Sequence, residues 1–249
     1  MIWFPASTLL ASPLVKVPLL LTATQLTALA MTPPTPPPSM EEKKGYSEVK
    51  DPMKPLLSRS GYIYKNLYYG HAICESAVIL AEHYPSAISD TVLSYLIRDT
   101  LQASHRIHIT PWWLAGCLAM AAGGAIRLAC YRTLGRFFTW ELSVKKGHML
   151  VTSGPYSIVR HPSYVGSTLI GVGVVLCHFG PGSWYAECVG WETWGSCIYT
   201  ALWGAWSLAV PVLLCARTPT EDGILHREFE DEWEAYAKRT PYRLIPFVY

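Results

Sequence analysis

The chain has 249 residues, of which 51% are hydrophobic and only 15% charged, a balance too apolar for an ordinary soluble domain and expected of a membrane protein. A formal net charge of +2 without any Lys/Arg-rich run sets nucleic acid aside as a partner. Seven cysteines (Cys74, Cys117, Cys130, Cys177, Cys188, Cys197 and Cys215) lie scattered in apolar stretches with no C-x-x-C spacing or close histidine pairing, so they read as small buried hydrophobes and neither a metal site nor a disulfide framework is expected.

Taken in chain order, residues 1–31 form an apolar N-terminal segment. Pro5, Pro13 and Pro18 interrupt it and no basic run precedes it, which fits a kinked membrane segment or anchor better than a cleaved signal peptide. Residues 32–61 read as a Pro-rich linker, with Pro33, Pro34, Pro36, Pro37 and Pro38 followed by EEKK and nothing to bury. Within 62–111, the stretch 62–81 is long enough to span if Lys65, His71 and Glu75 face other helices or the interface. The stretch 86–108 mixes Leu and Ile with Asp90, Arg98, Asp99 and Arg106, as an amphipathic surface helix does.

The remainder, 112–249, holds the clearer spans, at 112–131, 164–180 and 195–216, against the about 20 residues a bilayer requires. Gly123 and Gly124 in one span, and Gly166, Gly171 and Gly173 in the next, suit close helix packing in lipid. With 2–30 and 62–81 added, the expected fold class is an all-α, polytopic integral membrane protein with about five transmembrane helices. Residues 132–163 carry five Lys/Arg residues and so does the tail from 217, whereas 181–194 carries none. Positive charge stays on the cytosolic side. The spans 164–180 and 195–216 then form a hairpin that brings two polar blocks, GHMLVTSGPYSIVRHPSYVG and RTPTEDGILHREFEDEWEAYAKRTPYRLIPFVY, together on that face.

In RHPSYVG, Pro162 suits the first turn of a helix with His161 at its cap. Such a helix start, beside Arg160 and His161, is able to hold a carboxylate or phosphate; the alternative is a pair of interfacial cations snorkelling to headgroups. GHMLVTSGPY reads as a short extended stretch ending in a Gly-Pro turn. In the tail, Thr218, Pro219 and Glu221 form a T-x-x-E capping box, with Leu225, Phe229 and Trp233 as an apolar stripe behind it, so an amphipathic helix is expected to begin near 219. Glu221 is then either a cap or, with Arg217 and His161, one of three ionisable groups converging at the membrane face.

These blocks, over 112–249, resemble the isoprenylcysteine carboxyl methyltransferase family and, more broadly, the membrane methyltransferases that include phospholipid N-methyltransferases. The resemblance implies an S-adenosylmethionine pocket on the cytosolic side, closed by C-terminal helices and lined by His148, Met149, Leu150, Val151, Tyr156, His161, Pro162, Ser163, Tyr164 and Glu221. It implies that Arg217 holds a substrate carboxylate, that Arg217 and Glu221 serve catalysis, and that no metal takes part. The implied substrate is the prenylated C-terminal cysteine of CaaX proteins, reached from the bilayer, and the implied location is the endoplasmic reticulum membrane. The chain departs from the family pattern at Glu141, where Gln is frequent. Phospholipid N-methylation is the nearest alternative. A membrane sterol reductase, suggested by the YRLIPF ending, and a non-catalytic membrane scaffold are further ones.

Overall fold

The computed structural model describes residues 12–36, 54–98, 101–142, 145 and 147–248. The first part of the expected N-terminal segment, residues 1–11, and residues 37–53 of the Pro-rich linker lie outside the described residues. Among the described residues every regular element is helical: α1 (Pro13–Ala30), α2 (Lys54–His83), α3 (Ala87–Leu96), α4 (Pro111–Leu134), α5 (Pro162–Phe179) and α6 (Trp194–Arg239), joined by short 3-10 and π turns.

Proline and hydroxyl residues set several helix starts. Pro111 follows Thr110, whose hydroxyl accepts from the Trp113 N–H, and Pro162 follows His161, the expected cap. The helix over 54–83 begins inside the stretch read as linker, because Pro55 at a first-turn position loses no hydrogen bond and the sequence after it is apolar enough to continue. The single amphipathic helix expected over 86–108 is shorter. Ser86 and Ser89 form a capping box that starts α3, but the chain is extended at Ile97, and Leu101–Arg106 is a separate 3-10 turn.

Paired contacts give the direction of each helix. Lys16 meets Glu75 and Gln25 meets Tyr69, so α2 runs antiparallel to α1. Leu19 and Ala30 accept from Cys117 and Arg127, so α4 runs parallel to α1. Gly116 lies against Gly173 and Cys177, while Gly123 lies against Gly166, so α5 returns antiparallel in the most extensive helix contact of the bundle. A Cβ on Gly123 would stand 2.5 Å from the Gly166 carbonyl oxygen; the helices approach this closely only because both positions lack a side chain. Gly171 lies against Ser207 and Tyr164 against Glu221, so α6 runs antiparallel to α5.

The protein is a polytopic all-α membrane protein. Among the described residues four helices, α1, α4, α5 and α6, are long and apolar enough to cross a bilayer, against the about five expected. The difference is α2, whose Lys65, Asn66, His71 and Glu75 lower its hydropathy. Two of these nevertheless turn inward: His71 and Glu75 are buried, and Glu75 pairs with buried Lys16 at 2.7 Å. The alternation of directions brings the C-terminal end of α4, the start of α5 and residues 217–221 of α6 to one end of the bundle.

Candidate active site

The expected break near 219 is absent, since α6 runs from Trp194 to Arg239 with Pro219 inside it. Proline has no N–H for the carbonyl four residues back, here Cys215. The Thr218 hydroxyl donates to that oxygen instead, at 2.9 Å. The hydroxyl that resembled an N-cap in the sequence therefore repairs the helix, and Glu221, one turn beyond Arg217, is released from capping. It accepts a short hydrogen bond from the Tyr164 hydroxyl of α5. The helix bends later, at Glu230, whose φ of 42° is a left-handed conformation costly for a non-glycine residue. Beyond the bend, the Tyr236 hydroxyl donates to the Tyr156 carbonyl at 2.8 Å, and the chain folds back over the start of α5.

The Arg160–His161 corner is built differently from either sequence reading. Both side chains are taken by the protein's own carboxylate, Asp222. His161 Nε2 donates to Oδ1 at 2.9 Å, and Arg160 Nη2 donates to Oδ2 at 3.2 Å. Arg243 Nε donates to the same Oδ2 at 2.8 Å. The backbone N–H groups of Arg160 and His161 donate to the carbonyls of Tyr242 and Arg243, both at 2.9 Å, and Arg160 Nη1 reaches the carbonyls of Thr240 and Pro241. Neither a free anion site nor a snorkelling pair remains, because the tail supplies acceptors that the sequence order does not reveal. Burial alone pushes the Asp222 carboxyl up, but the His161 hydrogen bond and charge, with Arg243 and Arg160, outweigh it and hold the group at about 2.

In front of this corner lies a cavity. Its walls include His148, Leu150, Val151 and Tyr156 from the connection after α4, His161, Ser163 and Tyr164 from the start of α5, and Arg217 and Glu221 from α6. Two residues expected there are elsewhere. Met149 is exposed and lines a shallower outer cleft with residues 228–232, and Pro162 is buried in the first turn of α5 without reaching the cavity. Phe137, Phe138, Thr139 and Glu141 form a further wall, and Ile224, Leu225 and Tyr236 close the side nearest the tail. The aromatic pair follows Gly135, whose φ of 52° turns the chain immediately after α4.

Charge in the cavity is asymmetric. Arg217 is 3% exposed and its Nη1 donates to the Trp140 carbonyl at 2.9 Å. The Glu221 side chain is 32% exposed, with Oε2 3.8 Å from His161 Nδ1. His148 stacks on Phe137 at 4.7 Å between ring centroids, and its buried Nδ1 has no hydrogen-bond partner among the described residues. Burial pushes its imidazole pKa down, with Glu228 opposing and Lys145 reinforcing the shift, so the ring is neutral near pH 7. Burial likewise keeps the Tyr156 phenol protonated. Such a cavity accommodates an amphiphilic ligand: flat apolar surface at Phe137, His148 and Val151, carboxylates for a cationic group, and a buried guanidinium for an anionic one.

The chain is similar in sequence to known proteins. Residues 114–191 match the isoprenylcysteine carboxyl methyltransferase family. The chain is 30% identical over 179 residues to protein-S-isoprenylcysteine O-methyltransferase B of Arabidopsis thaliana, covering 70% of this chain and 78% of that protein. It is 34% identical over 142 residues to the human protein-S-isoprenylcysteine O-methyltransferase, covering 55% of this chain and 42% of that one. A Delta(14)-sterol reductase of Methylotuvimicrobium alcaliphilum is also similar, 27% identical over 168 residues, covering 60% of this chain and 35% of the reductase.

Proposed function

The chain belongs to the isoprenylcysteine carboxyl methyltransferase family, and from that premise we propose that it transfers a methyl group from S-adenosylmethionine to the C-terminal carboxylate of a prenylated cysteine, completing CaaX proteins as methyl esters. The observation that carries this reading is Arg217, a buried guanidinium opening onto a mixed polar and apolar cavity where a membrane-spanning helix segment ends. A lipidated substrate held in the bilayer presents its carboxylate at such a junction.

The residues present fit the methyl donor. The orphaned His148 Nδ1 and the aromatic wall suit an adenosine, and Glu221 with Tyr164 suits a cationic amino acid end. Met149 and Pro162, placed outside the cavity, take no part in this proposal. When bound, the donor supplies an electrophilic methyl group on a sulfonium. A terminal carboxylate, with a reference pKa of roughly 3.3–3.7, is already ionised near neutral pH, so its oxygen would take the donor's methyl group directly, the electron pair of the C–S bond leaving with sulfur. No proton moves and no general base is required. The protein's task is alignment, which can supply roughly 7–11 kcal/mol. Arg217 performs it on the acceptor side, where a planar fork fixes both carboxylate oxygens, and Glu221 holds the donor side. The proposed setting is the endoplasmic reticulum membrane, with the cavity facing the cytosol and its Lys/Arg-rich segments.

An acceptor panel in liposomes tests this reading, using labelled S-adenosylmethionine with N-acetyl-S-farnesylcysteine or phosphatidylethanolamine, and a sterol with a nicotinamide reductant. Label on the prenylcysteine alone is expected. Label on the phospholipid, or reduction of the sterol, would replace the proposal with one of its rivals.

A further inference from the structure

Asp222 is buried, does not line the cavity, and holds three basic side chains, those of the adjacent Arg160 and His161 and that of Arg243 in the tail. Its effect on the cavity runs through His161. Because Nε2–H donates to the Asp222 carboxylate, the other ring nitrogen, Nδ1, is the one presented to the cavity, 3.8 Å from Glu221. The ring is held parallel to Tyr164, at 5.4 Å and 13°, and the Tyr164 hydroxyl binds Glu221 in turn. On its other oxygen, Asp222 ties Arg160 and Arg243, and hence the strap 240–243, to the same corner.

We propose that Asp222 is a positioning residue for methyl-donor binding, fixing the tautomer and orientation of His161 and, through Tyr164, the place of Glu221. The proposal rests on the methyltransferase reading above. It separates the two adjacent carboxylates by role: Glu221 faces ligand, and Asp222 sets the frame. Partners of this kind, behind a residue that contacts a ligand, cost about 10–100-fold in affinity when removed from metal sites, and a similar scale applies here.

The test is titration calorimetry of S-adenosylhomocysteine into the full-length protein in nanodiscs, for wild type, Asp222→Asn, His161→Ala and the double variant. We expect Asp222→Asn to raise Kd about 10–100-fold, with kcat at saturating donor changed less than about threefold. The double variant is expected to bind no more than about threefold worse than His161→Ala alone, since one interaction cannot be lost twice. Additive losses would mean that Asp222 supports the fold generally and would overturn the proposal, as would unchanged affinity in Asp222→Asn. If Asp222→Asn does not fold, Arg243→Gln, which frees the same carboxylate on one side, is expected to weaken binding several-fold, and no change would overturn the proposal. Wild-type protein that binds S-adenosylhomocysteine but esterifies nothing would overturn only the acceptor in the methyltransferase reading; wild-type protein that does not bind it would overturn both.

Discussion

The two ends of the bundle bury charge in opposite ways. At the end away from the cavity, Lys16 is 0% exposed, pairs with Glu75, and donates to the Gly182 carbonyl at 2.6 Å, while Glu75 accepts from the Trp184 N–H at 2.7 Å. Every partner there is internal and joins α1, α2 and the turn after α5. At the cavity end, Asp222 is similarly enclosed, but its neighbours Glu221 and Arg217 open onto the cavity. The first cluster is a pin between helices. The second is a frame around a reactive space, so a similar chemical device serves stability at one end and ligand geometry at the other.

Replacing residues at each end separates these roles. The largest effect is expected from Arg217→Ala: loss of one partner of a buried charge pair costs about 2–5 kcal/mol, which lowers kcat/KM for prenylcysteine roughly 30- to several-thousand-fold. S-adenosylhomocysteine affinity should stay within about threefold. Arg217→Lys should also lose most activity, because an ammonium cannot reproduce the planar fork.

At the other end, Lys16→Met strands Glu75 and should destabilise the protein by about 3–5 kcal/mol, read as a lower unfolding midpoint in detergent. The donor affinity of the folded fraction should not change. Pairing Lys16→Met with Glu75→Leu should restore much of the loss, since no uncompensated charge remains buried.

Acid should affect the cavity end in a defined window. The folded pKa of Asp222, about 2, lies below the ordinary aspartate value of 3.8, so its stabilising contribution is fully present above about pH 4 and fades as pH falls toward 2. The difference amounts to about 2 kcal/mol. Unfolding midpoints of wild type and Asp222→Asn should therefore differ at pH 6 and converge as the pH approaches 2. The smallest effect is expected from Thr218→Val, which removes the hydroxyl that satisfies the Cys215 carbonyl and should cost about 1 kcal/mol of stability.

Much of the architecture was legible because it rests on local chemistry. Pro162 after His161 marks the start of α5, the glycines of α4 and α5 mark close packing, and loop charge turns residues 161 and 217–221 toward one face. The misread features all depend on partners distant in sequence. Thr218, Pro219 and Glu221 read as a cap because nothing local reveals that the helix is already in progress. Arg160 and His161 read as an anion site because Asp222 reaches them from α6, some 60 residues on, and the carbonyls of 240–243 only after the chain bends at Glu230. The polar residues of α2 lowered its hydropathy, yet the cluster that accommodates Glu75 is assembled from α1 and the turn after α5. In the cavity, Phe137 and Phe138 carry no sequence signal of their own, since only the fold shows which loop becomes a wall.

The most direct test of the account is methyl transfer from labelled S-adenosylmethionine to N-acetyl-S-farnesylcysteine by the protein in liposomes, scored as base-labile ester, with Arg217→Ala alongside. The account predicts ester from the wild type and almost none from Arg217→Ala, with S-adenosylhomocysteine still bound by both. Ester formation undiminished in Arg217→Ala, or none from a wild type that binds S-adenosylhomocysteine, would contradict it.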